Sequence, residues 1–407
     1  MFKTLFLLIF VPLLSLFGQV KVGIDVLFED GACEQLKGKR IGLITNITAI
    51  DAKGISTLQR LSEYDVVAIF APEHGYWGSG YASEMISDEM HEELPIYSLH
   101  GSNRKPTQKQ LEGIDLLIFD IQDIGSRSYT YIGTLFYCME EAAKLQIPVI
   151  VLDRPNPLGG TVVDGPLVDD NWRSFISYVN IPYCHGMTVG ELACFFNQEY
   201  HVNCDLTVIP MKGWKRGMVF SQTGLNWVPT SPQIPEPDTA FFYPTTGLIG
   251  QYSLLSIGIG YTLPFKVIGA PWVDAEKLTC ILNDQKLPGV HFQPFFFRPF
   301  FGKYKKEMCN GALIIITDTN TYLPISTQYT IIGVLKNLYP RQFEDAIKHV
   351  QLSKIKKEMC HKLNGREEIH TILMEEKYVI WKLRDICRKD RDTFLPIRKK
   401  YLTPSYS

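Results

Sequence analysis

Titratable side chains recur in this chain at the points where apolar runs give out. "FAPEHGYWGSG", Phe70 to Gly80, sets Glu73 beside His74 directly after "DVVAIFA" (65–71). "LPIYSLHG" (94–101) runs into His100, "IDLLIFDIQD" (114–123) delivers Asp120, Gln122 and Asp123, and "IPVIVLDRPN" (147–156) delivers Asp153, Arg154 and Asn156. "RIGLITN" (40–46) ends on Thr45 and Asn46. A carboxylate beside an imidazole suits general acid–base work. Paired carboxylates suit glycoside hydrolysis, in which one donates a proton and the other acts as base or nucleophile. "DIQDIGSRSYTYIG" adds Arg127, Tyr129 and Tyr131. Arg127 either binds a carboxylate with its fork or pairs with Asp123 across the turn; the tyrosines face either a sugar ring or the core.

These groups meet only if the runs before them are parallel strands. The runs are short, β-branched and apolar throughout, as strands buried on both faces are. "TYIGTLFYCMEEAAKLQ" (130–146) has helical spacing between two of them. Strand, helix and strand in repetition predict a Rossmann-like α/β domain, a parallel sheet wrapped by helices, whose ligands bind at the carboxyl ends of the strands. A proline-rich stretch from about Pro229, "PTSPQIPEPDTAFFYPTTG", reads as a linker or extended loop. Mixed strands and helices and a charged helical tail from about Gln342 follow. The expected division is a signal segment over 1–18, the Rossmann-like domain over 19–245 and a smaller α+β auxiliary domain over 246–407.

The first eighteen residues pair Lys3 with the apolar run Leu5–Leu14 and small residues before Gln19, the grammar of a secretory signal. Export to the periplasm or medium is the expectation, with no membrane span after cleavage. A net charge of -2 gives no basic excess for nucleic acid. The nine cysteines form no CxxC pair and no zinc spacing, so buried thiols are expected. "SIGIGYT" (256–262) and "NPLGGTVVDG" (156–165) lack the rest of a dinucleotide or P-loop motif, and no GxSxG elbow occurs. In "HGMTVGELACFF", Thr188 and Glu191 have capping-box spacing, which makes Glu191 a helix-start residue. His185 just before it is a candidate for the site.

Taken in order, "GLITN" (42–46), "PEHG" (72–75), "LPIYSLHG" (94–101), "IFDIQDIGSRSYTYI" (118–132), "LDRPNPLGG" (152–160), "HGMTVGELA" (185–193), "GAPW" (269–272) and "KY" (303–304) resemble the DUF1343 family of exo-β-N-acetylmuramidases. The resemblance runs from about Lys37 to the tail. It implies a Rossmann-like domain beside an auxiliary one, a site in the cleft between them, no cofactor or metal, and removal of N-acetylmuramic acid from peptidoglycan fragments. It also implies that Glu73 is catalytic. Glu73 is then expected as general acid, tuned by His74 and Asp120, with Asp123 or the substrate's own N-acetyl group in the second role. The expected sugar contacts are Asn46, Arg127, Tyr129, Tyr131, Asp153, Arg154, Asn156 and His185, with Arg127 or Arg154 on the lactyl carboxylate.

The chain departs from the family pattern in one region above all. Relatives read roughly "YPGTGLLEGTNLSVGRGT" where this chain reads "YPTTGLIGQYSLLSIGIGYT" (243–262), so that the glutamate position falls on Gly250 and the arginine position on Ile259. Trp77 replaces a second arginine. The expectation is weak hydrolysis, or a member that binds muropeptides without cleaving them.

Overall fold

A computed structural model describes residues 19–91 and 93–407. The expected signal segment lies outside the described residues. Seven strands form the main sheet: β1 (Ile41–Thr45), β2 (Val66–Ala71), β3 (Glu89–His91), β4 (Leu94–Ser98), β5 (Leu116–Asp120), β6 (Val149–Leu152) and β7 (Leu206–Ile209). Their order is β3-β4-β2-β1-β5-β6-β7, and every pairing is parallel except β3 with β4.

The apolar runs follow from burial on two faces. Leu43, Ile118, Ile150 and Leu152 pack with Ile24 and Leu27 of helix Gly23–Glu29 on one face. Their neighbours Ile44, Leu117, Phe119 and Val151 pack on the other face with Leu135 and Met139 of helix Tyr131–Leu145 and Leu192 of helix Val189–Glu199. The period of two along each strand thus fills two cores. Successive crossovers run outward from β1 through β2 to β4, then from β5 through β6 to β7, so the order reverses between β1 and β5. A crevice opens at such a reversal, outside the carboxyl ends of the strands.

The second part of the chain carries β8 (Val267–Ala270), β9 (Val290–Phe297) and β10 (Cys309–Ile316), an antiparallel sheet in the order β8-β10-β9. Helix Thr239–Gln251 precedes it and contains both Thr245 and Pro244. The later half of the proline-rich stretch is therefore helix rather than linker. The hydroxyls of Thr245 and Thr246 bond the carbonyls of Phe241 and Phe242 at 2.7 and 3.1 Å within it. One apolar cluster continues from Ile44 through Leu248 and Phe292 to Phe394, so both parts share a core. The tail returns to the main sheet, where the Tyr406 hydroxyl donates to Asp153 at 2.7 Å. All nine cysteines are free, and six of them are buried. No described helix is long and apolar enough to cross a membrane.

Candidate active site

Beyond Ala71 the chain turns sharply. His74 takes φ 73° and Gly75 φ 76°. The left-handed region costs a non-glycine residue roughly 1 kcal/mol or more, and such strain collects at functional sites. The loop offsets it by closing on itself: His74 Nδ1 meets the Gly80 carbonyl at 2.8 Å, and the Gly80 N–H donates to the His74 carbonyl at 3.2 Å. Closure brings Ser83 back over Glu73.

The Ser83 N–H donates to Glu73 Oε1 at 3.0 Å, and the Thr130 hydroxyl donates to Oε2 at 2.7 Å. Thr130 is the residue from which helix Tyr131–Leu145 starts. His100 Nε2, beyond the end of β4, stands 3.7 Å from Oε1. Burial pushes the Glu73 pKa up, but the Ser83 N–H, the Thr130 hydroxyl, His100 and His74 together outweigh it and leave it below the usual glutamate value. His100 is pushed down, first by its own burial. Glu73 is thus held as a carboxylate at neutral pH, the form of a base or charge stabiliser. The general acid expected from the sequence needs the opposite shift.

Glu73 stands where two lobes of a cleft meet. The larger lobe, about 490 Å³, runs past Ser128, Tyr183, Gly250, Ile257 and Lys303. The smaller, about 290 Å³, is lined by His74, Tyr81, Tyr129 and Ile234. Thr130, Tyr243, Ile259 and Phe265 belong to both. Aromatic rings hold one another in the wall: Tyr243 meets Tyr129 edge-on at 5.9 Å and Phe265 at 5.2 Å. Ser128 Oγ bridges the hydroxyls of Tyr183 and Tyr243 at 2.5 and 3.1 Å. Among the described residues lining the two lobes, Glu73 is the only carboxylate.

Several residues expected at the site turn away from it. Asp120 is wholly buried and paired with Arg154, whose Nη2 lies 2.9 Å from Oδ2; the Thr57 hydroxyl also donates to it. Neither group is therefore free for a sugar, and Asp120 does not tune Glu73. Arg127 is buried too and does not pair with Asp123. It donates to the carbonyls of Pro166, Ile181 and Leu363 at 2.6, 2.7 and 2.9 Å, and to Ser177 Oγ at 3.1 Å. Asp153 accepts from Thr188, Gly190 and Tyr406, fixing a helix start and the tail. Asn156 donates to the Met187 carbonyl and accepts the Leu158 N–H, which makes it a turn-former. His185 is fully buried, accepts the Met187 N–H at 3.2 Å, and is pushed down to about 3 by burial and by Arg398 and Arg127.

Asn46 caps its own turn through Thr48 and donates to the Tyr131 hydroxyl at 3.2 Å. Tyr131 in turn donates to the Thr230 carbonyl, which puts it in the core. Asp123 stays close to its turn: Oδ2 accepts the Gly125 N–H at 2.6 Å, Oδ1 has no partner, and burial pushes the carboxyl up to about 7. It lines neither lobe. Of the expected set, Glu73, His74 and Tyr129 come together at the cleft. Glu191 caps its helix reciprocally with Thr188, as its spacing predicts. Trp77 lines a separate cavity of about 740 Å³.

Sequence reasoning missed Ser83, Thr130, Tyr243 and Lys303. Thr130 sits inside "SRSYTYI", where the neighbouring tyrosines drew attention, and Lys303 belongs to the "KY" pair. Among the described residues no group of three or more His, Cys, Asp or Glu is placed to hold a metal ion.

Comparison with known proteins agrees with this architecture. The model for the N-terminal domain of exo-beta-N-acetylmuramidase NamZ matches residues 41–238, and that for the C-terminal domain matches 241–403. Peptidoglycan beta-N-acetylmuramidase NamZ of Bacillus subtilis (strain 168) is 43% identical over 331 residues, covering 80% of each chain. The crystal structure of a DUF1343 family protein from Bacteroides fragilis NCTC 9343 superposes with a TM-score of 0.87 at 42% identity, covering 94% of this chain and 98% of that one. A second DUF1343 structure from the same strain gives 0.69 at 27% identity, covering 95% and 99%. With both domain models matched in order along nearly the whole described chain, the protein belongs to the exo-β-N-acetylmuramidase NamZ family.

Proposed function

We propose that the protein is an exported glycoside hydrolase of the exo-β-N-acetylmuramidase type, acting on amino sugars derived from peptidoglycan. The observation that carries the reading is the position of Glu73 at the junction of two lobes. A glycosidase places its reacting carboxylate at the bond between two sugars, with one sugar on either side. The lobes supply a pocket for each, and Tyr129 and Tyr243 offer aromatic faces to a ring. Glu73, ionised between two donors, stabilises the positive charge that develops at the anomeric carbon. The N-acetyl group of the sugar supplies the second function. With no second carboxylate on the described lining, protonation of the leaving oxygen falls to solvent reaching the cleft, and the rate suffers accordingly.

That same lining favours a second reading, a member that binds muropeptides without cleaving them. Gly250 stands on the larger lobe where the family pattern has a glutamate, and glycine neither donates nor accepts through a side chain. One experiment separates the two: turnover of a chromogenic N-acetylmuramide, measured beside a binding titration of the same sugar. Turnover selects the hydrolase, saturable binding without turnover the binding protein, and neither would end both. Export rests on residues 1–18; a secreted form beginning at Gln19 is its test.

A further inference from the structure

We infer that Lys303 reads the lactyl carboxylate of N-acetylmuramic acid and so places that sugar in the larger lobe, an assignment that rests on the muramidase-type reading above. The arginines that could have done so are taken. Arg154 is paired with Asp120, and Arg127 is spent on three carbonyls and a hydroxyl. Among the described residues lining the two lobes, Lys303 is the only lysine or arginine.

Its surroundings call for an anion. The ammonium donates to the Ser253 carbonyl, which uses one of its three N–H groups, and it makes no salt bridge with a described carboxylate. Desolvation, and after it the like charge of Lys356, pushes its pKa down. Lys356 is itself held 2.9 Å from His349 Nε2. An exposed cation on the rim of a cleft, with no acid paired to it and N–H groups to spare, is a ready partner for the carboxylate of a bound sugar.

The loop that presents Lys303 is built to hold one shape. It joins β9 to β10, and Gly302, Tyr304 and Lys306 take φ of 78°, 60° and 66°. The Tyr304 hydroxyl accepts from Trp272 Nε1 at 3.0 Å, and the Lys303 ammonium lies 5.1 Å from the Tyr304 ring centre. Glu73 lines the same lobe, so a sugar anchored there by its acid has its anomeric carbon free to meet Glu73. The smaller lobe, with no described cation, takes the uncharged leaving sugar.

The test uses three probes on the full chain: an N-acetylmuramide glycoside, the same glycoside with its lactyl group as methyl ester, and an N-acetylglucosaminide. Wild type should bind the acid about ten- to a hundred-fold tighter than the ester, the range of a charge-assisted hydrogen bond. Lys303→Met should bind acid and ester equally while its affinity for the glucosaminide stays at the wild-type level, and Lys303→Arg should recover much of the preference. An unchanged acid-to-ester ratio in Lys303→Met overturns the assignment. If wild type cleaves acid and ester alike, Lys303 loses its role and the hydrolase reading stands. If wild type binds none of the three, both fall together.

Discussion

Restoring the glutamate at position 250 tests whether a single carboxylate limits this cleft. Gly250 is the next-to-last residue of helix Thr239–Gln251 and lines the larger lobe with Glu73. Replacing a helical glycine gains about 0.5–1 kcal/mol in backbone entropy. An acid near a helix carboxyl end gives back about 0.3–1 kcal/mol. The obstacle is steric, because a Cβ at 250 would lie 2.6 Å from Ile257 Cδ1 and 3.1 Å from its Cγ1. Cδ1 is the free end of a flexible chain; turning it aside costs about 1–3 kcal/mol, and Ile257→Val deletes it for about 0.5–1.5 kcal/mol. The terms nearly cancel, so Gly250→Glu/Ile257→Val should fold with stability within about 2 kcal/mol of the parent. A carboxyl at 250 would join Glu73 on the lining of the larger lobe, where it could protonate the leaving oxygen. General acid catalysis contributes about 10²–10⁴ in rate. The assay is release of N-acetylmuramic acid from a chromogenic muramide by parent, Ile257→Val and the double variant. A folded double variant no faster than Ile257→Val refutes the reasoning, and so does a parent that already turns over robustly.

Three further outcomes follow from the same geometry. Glu73→Gln keeps the size and the Ser83 contact but loses the charge, so turnover should drop by about 10²–10³, the range for a lost electrostatic stabiliser, with sugar affinity little changed; turnover at the parent level would remove Glu73 from the chemistry. Because the folded pKa of Glu73 is depressed, kcat/KM should hold steady as pH falls from 7 and decline only below the usual 4.5, together with the stability its two donors provide; a decline beginning near pH 6 would point to another group. Asp123 has the opposite sign: raised from 3.8 to about 7, it contributes stability that is present below 3.8 and lost as pH climbs through 7. Asp123→Asn should flatten that slope, its advantage over wild type growing by about 2–3 kcal/mol between pH 5 and pH 8 in denaturant titrations, and parallel stability curves would show that the group is not strained by its burial.

The strands were legible because a parallel sheet covered on both faces leaves no polar position inside a strand, and the runs before Asn46, Glu73, Asp120 and Asp153 obey that. What lies past the strand ends was only half legible. An acid or a guanidinium at that edge fixes where the backbone goes, and it does not fix which way the side chain turns. Glu73 turned into the cleft because the left-handed turn at His74 folds Ser83 over it. Asp120 and Arg154 turned toward each other, and Asp153 turned to the start of helix Val189–Glu199. Lys303 was visible only as half of a two-residue motif, since its place at the cleft comes from a loop meeting, about fifty positions earlier, the carbonyl of Ser253 just past the end of helix Thr239–Gln251. The proline-rich stretch misled for a related reason. Pro244 argues against a helix by its missing N–H, yet Thr239–Gln251 is buried on so many sides that packing overrides propensity.

Arg127, though buried and spent on backbone carbonyls, still bears on the cleft. Arg127 immediately precedes Ser128 and Thr130 on one wall of the cleft, and it holds the carbonyl of Leu363, which lines the other. Ser177 Oγ donates to the Lys362 carbonyl at 2.6 Å, and the Asp169 N–H donates to the Gly365 carbonyl at 2.8 Å. The loop between β6 and β7 is thereby stitched to helix Lys354–Asn364 beneath the larger lobe. A charge so deeply placed is costly to strand, and cutting any one of these donors leaves a buried partner unpaired. The two walls therefore keep their spacing before a sugar arrives, and the binding energy of the sugar is not consumed in closing the cleft. A site with one carboxylate depends on that more than a site with two, since positioning must supply what the missing acid does not.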